Sequence, residues 1–269
     1  MEAPPYLGIL LSQDFGRACS KQMYCFRCAG GFCLHCCRSH AGGHHPGEQR
    51  LRIAEVRSVR HGMCISAEDV NGVKYDWKGI QRLRNGGKKF IPLRRFGVLP
   101  QHGMPLNCIN CGDPTYTKRD YCCTGCKKEH VDGGKGRDVI EALLATDFVQ
   151  QTPMDVFCTG CRRLFTSTCC PEHLLAHHPP NTAARLVRVM RHGGWVVTPS
   201  IDLVGLPQEA LNQIQVIEVG GLVTVPICRS EEQLGGEAGN LCFSCFKVID
   251  AEFSYCSLQC GGDDMLFGA

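Results

Sequence analysis

The stretch IQRLRNGGKKFIPL, from Ile80 to Leu93, places short mixed runs of apolar and polar residues on either side of Asn-Gly-Gly. Two short strands around a tight turn fit that pattern, because glycine readily adopts the positive φ that hairpin turns require. Upstream, LRIAEVRSV (Leu51 to Val59) fits a short helix or a strand, and periodicity does not choose between them. No run approaches the roughly 18 apolar residues of a membrane span. The pattern predicts small α+β units, poor in helix, each burying too little core to stand without a brace.

The hairpin returns as IQVIEVGGLVTVPI, Ile214 to Ile227, 134 residues further on. LLSQDF (Leu10 to Phe15) returns as LLATDF (Leu143 to Phe148), at an offset of 133. At that same offset Cys25, Cys28, Cys36, Cys37, His40, His44 and His45 match Cys158, Cys161, Cys169, Cys170, His173, His177 and His178. Cys108, Cys111, Cys122 and Cys126 match Cys242, Cys245, Cys256 and Cys260 at 134. So steady a register reads as a tandem duplication. It predicts a basic domain at 5–131, a linker at 132–137 and a degenerate acidic domain at 138–262. The linker contains GGKG but lacks the G-K-[ST] ending of a phosphate loop.

Among 269 residues, 43% hydrophobic and 20% charged, the composition is ordinary except for 21 cysteines. An odd count, C-x2-C pairs and histidines at ligand spacing favour metal sites over disulfides. GILL (Gly8 to Leu11) is too short for the apolar core of a secretory signal. The expected compartment is therefore reducing, nucleus or cytosol. The net charge of +3 hides a split. Residues 1–133 hold 20 Lys and Arg against 11 Asp and Glu, which is +9; residues 134–269 hold 9 against 15, which is −6. Such asymmetry points to different partners for the two halves.

The duplication sorts the candidate ligands. Cys25, Cys28, His40 and His44, with their counterparts Cys158, Cys161, His173 and His177, offer two thiolates and two imidazoles each. Cys108, Cys111, Cys122 and Cys126, with Cys242, Cys245, Cys256 and Cys260, repeat C-x2-C-x10-C-x3-C. All four quartets suit tetrahedral Zn2+ and leave no open position for reactive water. Tyr121 and Tyr255, just before the third ligands, read as packing residues. A fifth ion in the first copy would use Cys19, Cys33 and Cys36. The second copy has Thr152 and Thr166 where Cys19 and Cys33 stand. Gln22, His35 and Cys37 compete as fourth ligand, a neutral amide being the poorest. The first quartet also fits a single-ion DNA-reading finger, C-x2-C-x11-H-x3-H. Against that, Pro171 falls where the finger's helix would run, at a cost of about 3 kcal/mol.

The order PPYLGILLSQDF, Cys19, Cys25/Cys28, Cys33/Cys36, His40 and His44, then C-x2-C-x10-C-x3-C, resembles the plant PLATZ family. The resemblance covers most of the chain, one copy per half. It implies a zinc-dependent transcriptional regulator that binds A·T-rich DNA and has a B-box-like first module. In the cross-brace it implies, Cys25, Cys28, His40 and His44 share one ion while Cys19, position 22, Cys33 and Cys36 share another. The chain departs from the family in having Gln22 where His is usual, and two copies rather than one.

The first hairpin carries Arg82, Arg84, Lys88 and Lys89, with Arg94 and Arg95 beyond it. A basic edge that discourages aggregation would be wanted in both copies. The second copy instead has Val216, Glu218, Leu222 and Val223. The cations therefore read as phosphate contacts to DNA, with Arg94 or Arg95 entering the minor groove. The competing expectation is a protein-interaction adaptor that uses the acidic second copy. No enzyme is expected: H-E-x-x-H, the zinc-deaminase pattern and the eight-ligand RING spacing are all missing.

Overall fold

The computed structural model describes residues 4–95, 106–115, 119–132, 139–180, 182–230 and 239–262. The expected linker at 132–137 lies outside them except for Asp132. Helix is sparse, as expected: among the described residues the longest is Thr124–Asp132, at nine residues. None of them is long and apolar enough to cross a membrane.

Two compact units emerge, Cys19–Thr152, and Met1–Ala18 together with Pro153–Ala269. These contact units divide the chain at other places than the sequence repeats expected at 5–131 and 138–262. In the unit 19–152, six antiparallel strands run in the order Gly30–Phe32, Met23–Cys25, Ile53–Val59, Gly62–Ser66, Lys88–Pro92 and Leu83–Asn85. Ile53–Val59 is the segment whose periodicity fitted helix or strand. Ala54 and Val56 are buried while Ile53, Glu55 and Arg57 are not, so the period is two and the segment is a strand. It pairs on both sides, Tyr24 opposite Ala54 and Val56 opposite Ile65.

The predicted hairpin forms between Leu83–Asn85 and Lys88–Pro92. Gly86 and Gly87 have φ of 56° and 79°, the two left-handed residues of a turn whose twist matches the strands. Leu83 and Phe90 face each other and are buried with Val59 and Cys64. Arg84 stands directly opposite Lys89, both exposed.

The boundary shift has a packing cause. Ile140, Leu143 and Phe148 are buried in one cluster with Tyr24, Phe26, Val56, Ile65 and Ile91. The Tyr24 hydroxyl donates to the Val139 carbonyl at 2.9 Å, and Arg94 Nε donates to the Leu144 carbonyl at 3.0 Å. Gly31 permits this approach, since a Cβ there would lie 2.8 Å from Thr146 Cγ2. The segment 139–148 thus completes the sheet unit that precedes it in sequence.

The other unit contains a three-stranded sheet, Arg163–Phe165, Val156–Cys158 and Leu186–Arg188. It also has a four-stranded one, Met190–His192, Trp195–Pro199, Leu222–Pro226 and Ile217–Val219. Here the helix Leu7–Leu11 supplies the buried leucines, Leu7 and Leu10. The Tyr6 hydroxyl donates to the Val204 carbonyl at 2.9 Å, and the Leu164 amide donates to Gln13 Oε1. Gly220 and Gly221, φ 59° and 78°, form the same kind of hairpin turn.

Many contacts recur between the units at the sequence offset. The Gly125 amide donates to the Leu93 carbonyl and that of Gln259 to Ile227, both at 3.0 Å. Ile80 bridges Tyr121, and Ile214 bridges Tyr255, in both cases parallel. The backbone of each tyrosine therefore ties the segment leading into its hairpin to the distal cysteine module.

Leu143→Ala should destabilise the unit 19–152 by about 2–5 kcal/mol through its cavity, although it lies outside the expected first domain. Hydrogen exchange resolved by segment checks this: protection should fall first at 54–65 and 83–92, whereas Leu10→Ala should lower it first at 156–165.

Candidate metal centres

Each proximal centre is assembled on a turn and a short helix. Met23–Cys25 pairs with Gly30–Phe32, and the connection between them carries Cys28. Helix His40–His44 then presents His40, whose ring stacks on Phe32 with centroids 4.0 Å apart. The ligand atoms of Cys25, Cys28, His40 and His45 all lie within 4.8 Å of one another. His45 Nε2 is 3.5 Å from Cys25 Sγ and 3.0 Å from Cys28 Sγ, and His40 Nε2 is 3.4 Å from Cys28 Sγ. Zn2+ with thiolates at ~2.3 Å and imidazoles at ~2.05 Å would set sulfur–nitrogen edges near 3.6 Å. The quartet is close to that size.

His45, not His44, is the fourth member. His44 stacks on His40, ring centroids 4.6 Å apart. Glu48 Oε2 sits 3.4 Å from His45 Nδ1, the carboxylate placement that fixes a ligating imidazole with its other nitrogen toward the metal. The unit 153–269 repeats the choice: Cys158, Cys161, His173 and His178 converge. His178 Nε2 is 3.2 Å from both thiols, and His173 Nε2 is 3.3 Å from Cys161 Sγ. His177 packs beside His173 instead, centroids 4.8 Å apart. His40 and His44, four residues apart on one face of the helix, lie with their rings stacked, and it is His45 that turns its Nε2 to the thiols. The residue after the helix swings back to the thiols. Its signal was in the sequence, since His45 and His178 recur at the same offset as the other ligands.

The distal centres match expectation. Cys108, Cys111, Cys122 and Cys126 form one cluster and Cys242, Cys245, Cys256 and Cys260 the other. Sulfur pairs stand 3.5–3.6 Å apart in the first and 3.5 Å in the second, against about 3.8 Å for the edge of a four-thiolate zinc tetrahedron. A two-stranded hairpin, Leu106–Asn107 with Pro114–Thr115 or Asn240–Leu241 with Val248–Ile249, carries the first two cysteines. The last cysteine lies in a helix whose cap differs: the Ser257 Oγ accepts from the Cys260 amide, and the Cys123 Sγ does so from Cys126.

Crowded thiols at these points split in acidity. Cys256 is driven up by its hydrogen bond with Cys260 and then by burial. Cys260 falls to about 4 because Cys256 bonds to it, against burial and with help from Ser257 and Arg229. Without a cation the buried sulfurs cannot all ionise; a dication reverses that logic.

Two arginines lie beside these clusters, a placement the sequence did not suggest for Arg95 and gave no sign of for Arg229. Arg229 Nε lies 3.1 Å from Cys260 Sγ while its other end reaches Ser244. Arg95, 134 positions earlier, hydrogen-bonds Cys126 and pairs with Glu129 at 3.6 Å. Each would offset part of the −2 charge that four thiolates leave around a zinc ion. Arg94 is held by the Leu144 carbonyl. Arg94 and Arg95, though exposed, thus have partners within the protein, and Arg82, Arg84, Lys88 and Lys89 are exposed on the hairpin and its flank.

The chain matches no known family model, no curated protein and no solved structure. Its own residues define the class: a mixed helix-and-strand protein with several clusters able to hold metal ions. Some are all-cysteine and others pair two cysteines with two histidines, donors that suit zinc.

If His45 is the ligand, His45→Ala in zinc-loaded protein should expose Cys25 and Cys28 to alkylation, mapped by mass spectrometry. His44→Ala should leave both protected.

Proposed function

We propose that this is a zinc-braced, DNA-binding regulator of transcription, built from two tandem copies of a PLATZ-like unit and binding A·T-rich duplex through the unit 19–152. Zn2+ would sit in the two mixed cysteine–histidine quartets and the two all-cysteine quartets, where four protein donors leave no position for activated water. That closure supports a structural role for the metal rather than catalysis. The recurring backbone contacts support the duplication, and the compartment that suits such a protein is the nucleus.

One observation carries the DNA reading. Arg84 and Lys89 face each other across the hairpin, and like charges directly opposite destabilise a strand pair. Lys88 is only loosely occupied, 3.8 Å from Glu55 and more than half exposed. A polyanion would relieve the repulsion and gain the cations as phosphate contacts. Arg94 and Arg95, already engaged within the protein, are a poorer choice for the minor groove than Arg82 on the hairpin's flank.

A second reading rests on the other hairpin. There Glu218 faces Val223, and Leu222 and Val223 are exposed at the tip. This acidic, apolar edge suits a protein contact, so the second unit would recruit a partner while the first holds DNA.

The test is fluorescence anisotropy of a labelled A·T-rich duplex with zinc-loaded protein across a salt series. Changing Arg82, Arg84, Lys88 and Lys89 together to Val, Glu, Leu and Val should abolish tight binding while zinc content and folding survive. Each phosphate left without its cation should flatten the slope of log K against log salt by ~0.9, hence by up to about 4 for all four. Salt-insensitive or absent binding by the unmodified protein would leave the adaptor reading in its place.

A further inference from the structure

Cys19, Cys33 and Cys36 lie outside the four quartets, yet they are 9%, 3% and 6% exposed, and Cys19 is within hydrogen-bonding reach of both other thiols. His35 turns toward them: its Nδ1 is 3.7 Å from Cys19 Sγ and 3.9 Å from Cys36 Sγ. The Cys36 amide donates to Cys33 Sγ at 3.2 Å. Cys158 and Cys161 make the same tight knuckle, with the amide 3.4 Å from the sulfur. Gln22 is exposed. Its backbone is committed to the sheet edge, its amide donating to Phe32 and its carbonyl accepting from Val56.

We propose that Cys19, Cys33, His35 and Cys36 form a further zinc site of three thiolates and one imidazole, with His35 supplying the ligand that Gln22 does not. The proposal rests on the zinc reading only for the identity of the metal. The two sulfur–nitrogen distances lie within about 0.3 Å of the edge of a tetrahedral zinc site. Three buried thiols thus cluster with one imidazole, which lies beside two of them, a donor set that suits zinc. Bound there, the ion would tie Cys19, at the start of the unit, to the Cys33–Cys36 turn. Met23–Cys25 and Gly30–Phe32 would then be held between two metal centres.

The unit 153–269 shows what replaces such an ion. Thr166, buried, stands at the position of Cys33, and Thr168 at that of His35. The Ser167 amide and hydroxyl donate to the two carboxylate oxygens of Asp155 at 2.7 and 2.6 Å, and Thr166 Oγ1 bonds the Pro153 carbonyl at 3.4 Å. A hydrogen-bonded carboxylate holds there the turn that a metal would hold in the unit 19–152.

Native mass spectrometry of the zinc-replete full chain, with alkylation mapped by residue, tests this. His35→Ala should bind one zinc fewer than wild type and expose Cys19, Cys33 and Cys36 to alkylation, while Cys158, Cys161, Cys242 and Cys245 stay protected. Gln22→Ala should lose nothing. His35→Cys should retain the ion and protect the three thiols, which guards against a general folding defect in the alanine variant. Unchanged zinc content in His35→Ala, or loss of the ion in Gln22→Ala instead, would overturn the proposal while leaving the four quartets intact. Rapid alkylation of Cys158 and Cys242 in the wild type as well would overturn it together with the zinc reading.

Discussion

In each unit, four ligand-type side chains from separate short elements meet at one point, at two places among the described residues. Helices of four to nine residues gain little from their own backbone bonds, because nucleation outweighs so few propagation steps. Strands of two to seven residues give sheets with little area to bury. A metal ion held in such clusters would close this gap. A cysteine quartet joins a two-stranded hairpin to a helix, and a mixed quartet joins a turn to a helix end. Metal binding in such domains contributes on the order of 10–16 kcal/mol, which is folding free energy when the unfolded chain has no preformed site. The shell around the ligands follows from the same requirement: Glu48 orients His45, and Arg95 and Arg229 place positive charge beside the thiolates.

The sheets are completed by segments from elsewhere in the chain. Ile140, Leu143 and Phe148 are buried in one core with Tyr24, and Leu7 and Leu10 are buried in the unit that joins 1–18 to 153–269. Cutting the chain between sequence repeats would therefore strip a buried helix from each unit. A fragment ending at 131 would leave the pocket around Tyr24 and Gly31 unfilled. That makes the full chain the proper object for measuring metal content and DNA affinity.

Spacing made the distal clusters and both hairpins legible. C-x2-C and C-x3-C are local, and Gly-Gly states its own backbone conformation. In the proximal clusters His44 and His45, like His177 and His178, recur together at the offset, so spacing alone does not say which imidazole reaches the thiols; that depends on how the helix ends. Unit boundaries were hidden for a deeper reason: the repeat shows which residues correspond, and correspondence does not say which copy a helix packs against. Gly31 was the one local trace of that packing, since only a residue without Cβ admits Thr146. Arg94 and Arg95 looked like free cations because sequence shows charge and not its neighbours.

The central claim is that bound zinc holds both units together. Removing metal from the purified full chain with a strong chelator, while following zinc release and hydrogen exchange, tests it most directly. The account predicts four or more zinc ions per chain and loss of exchange protection in both sheets as they leave, with recovery when zinc is restored. Two or fewer ions, or sheets that stay protected after complete removal, would contradict it.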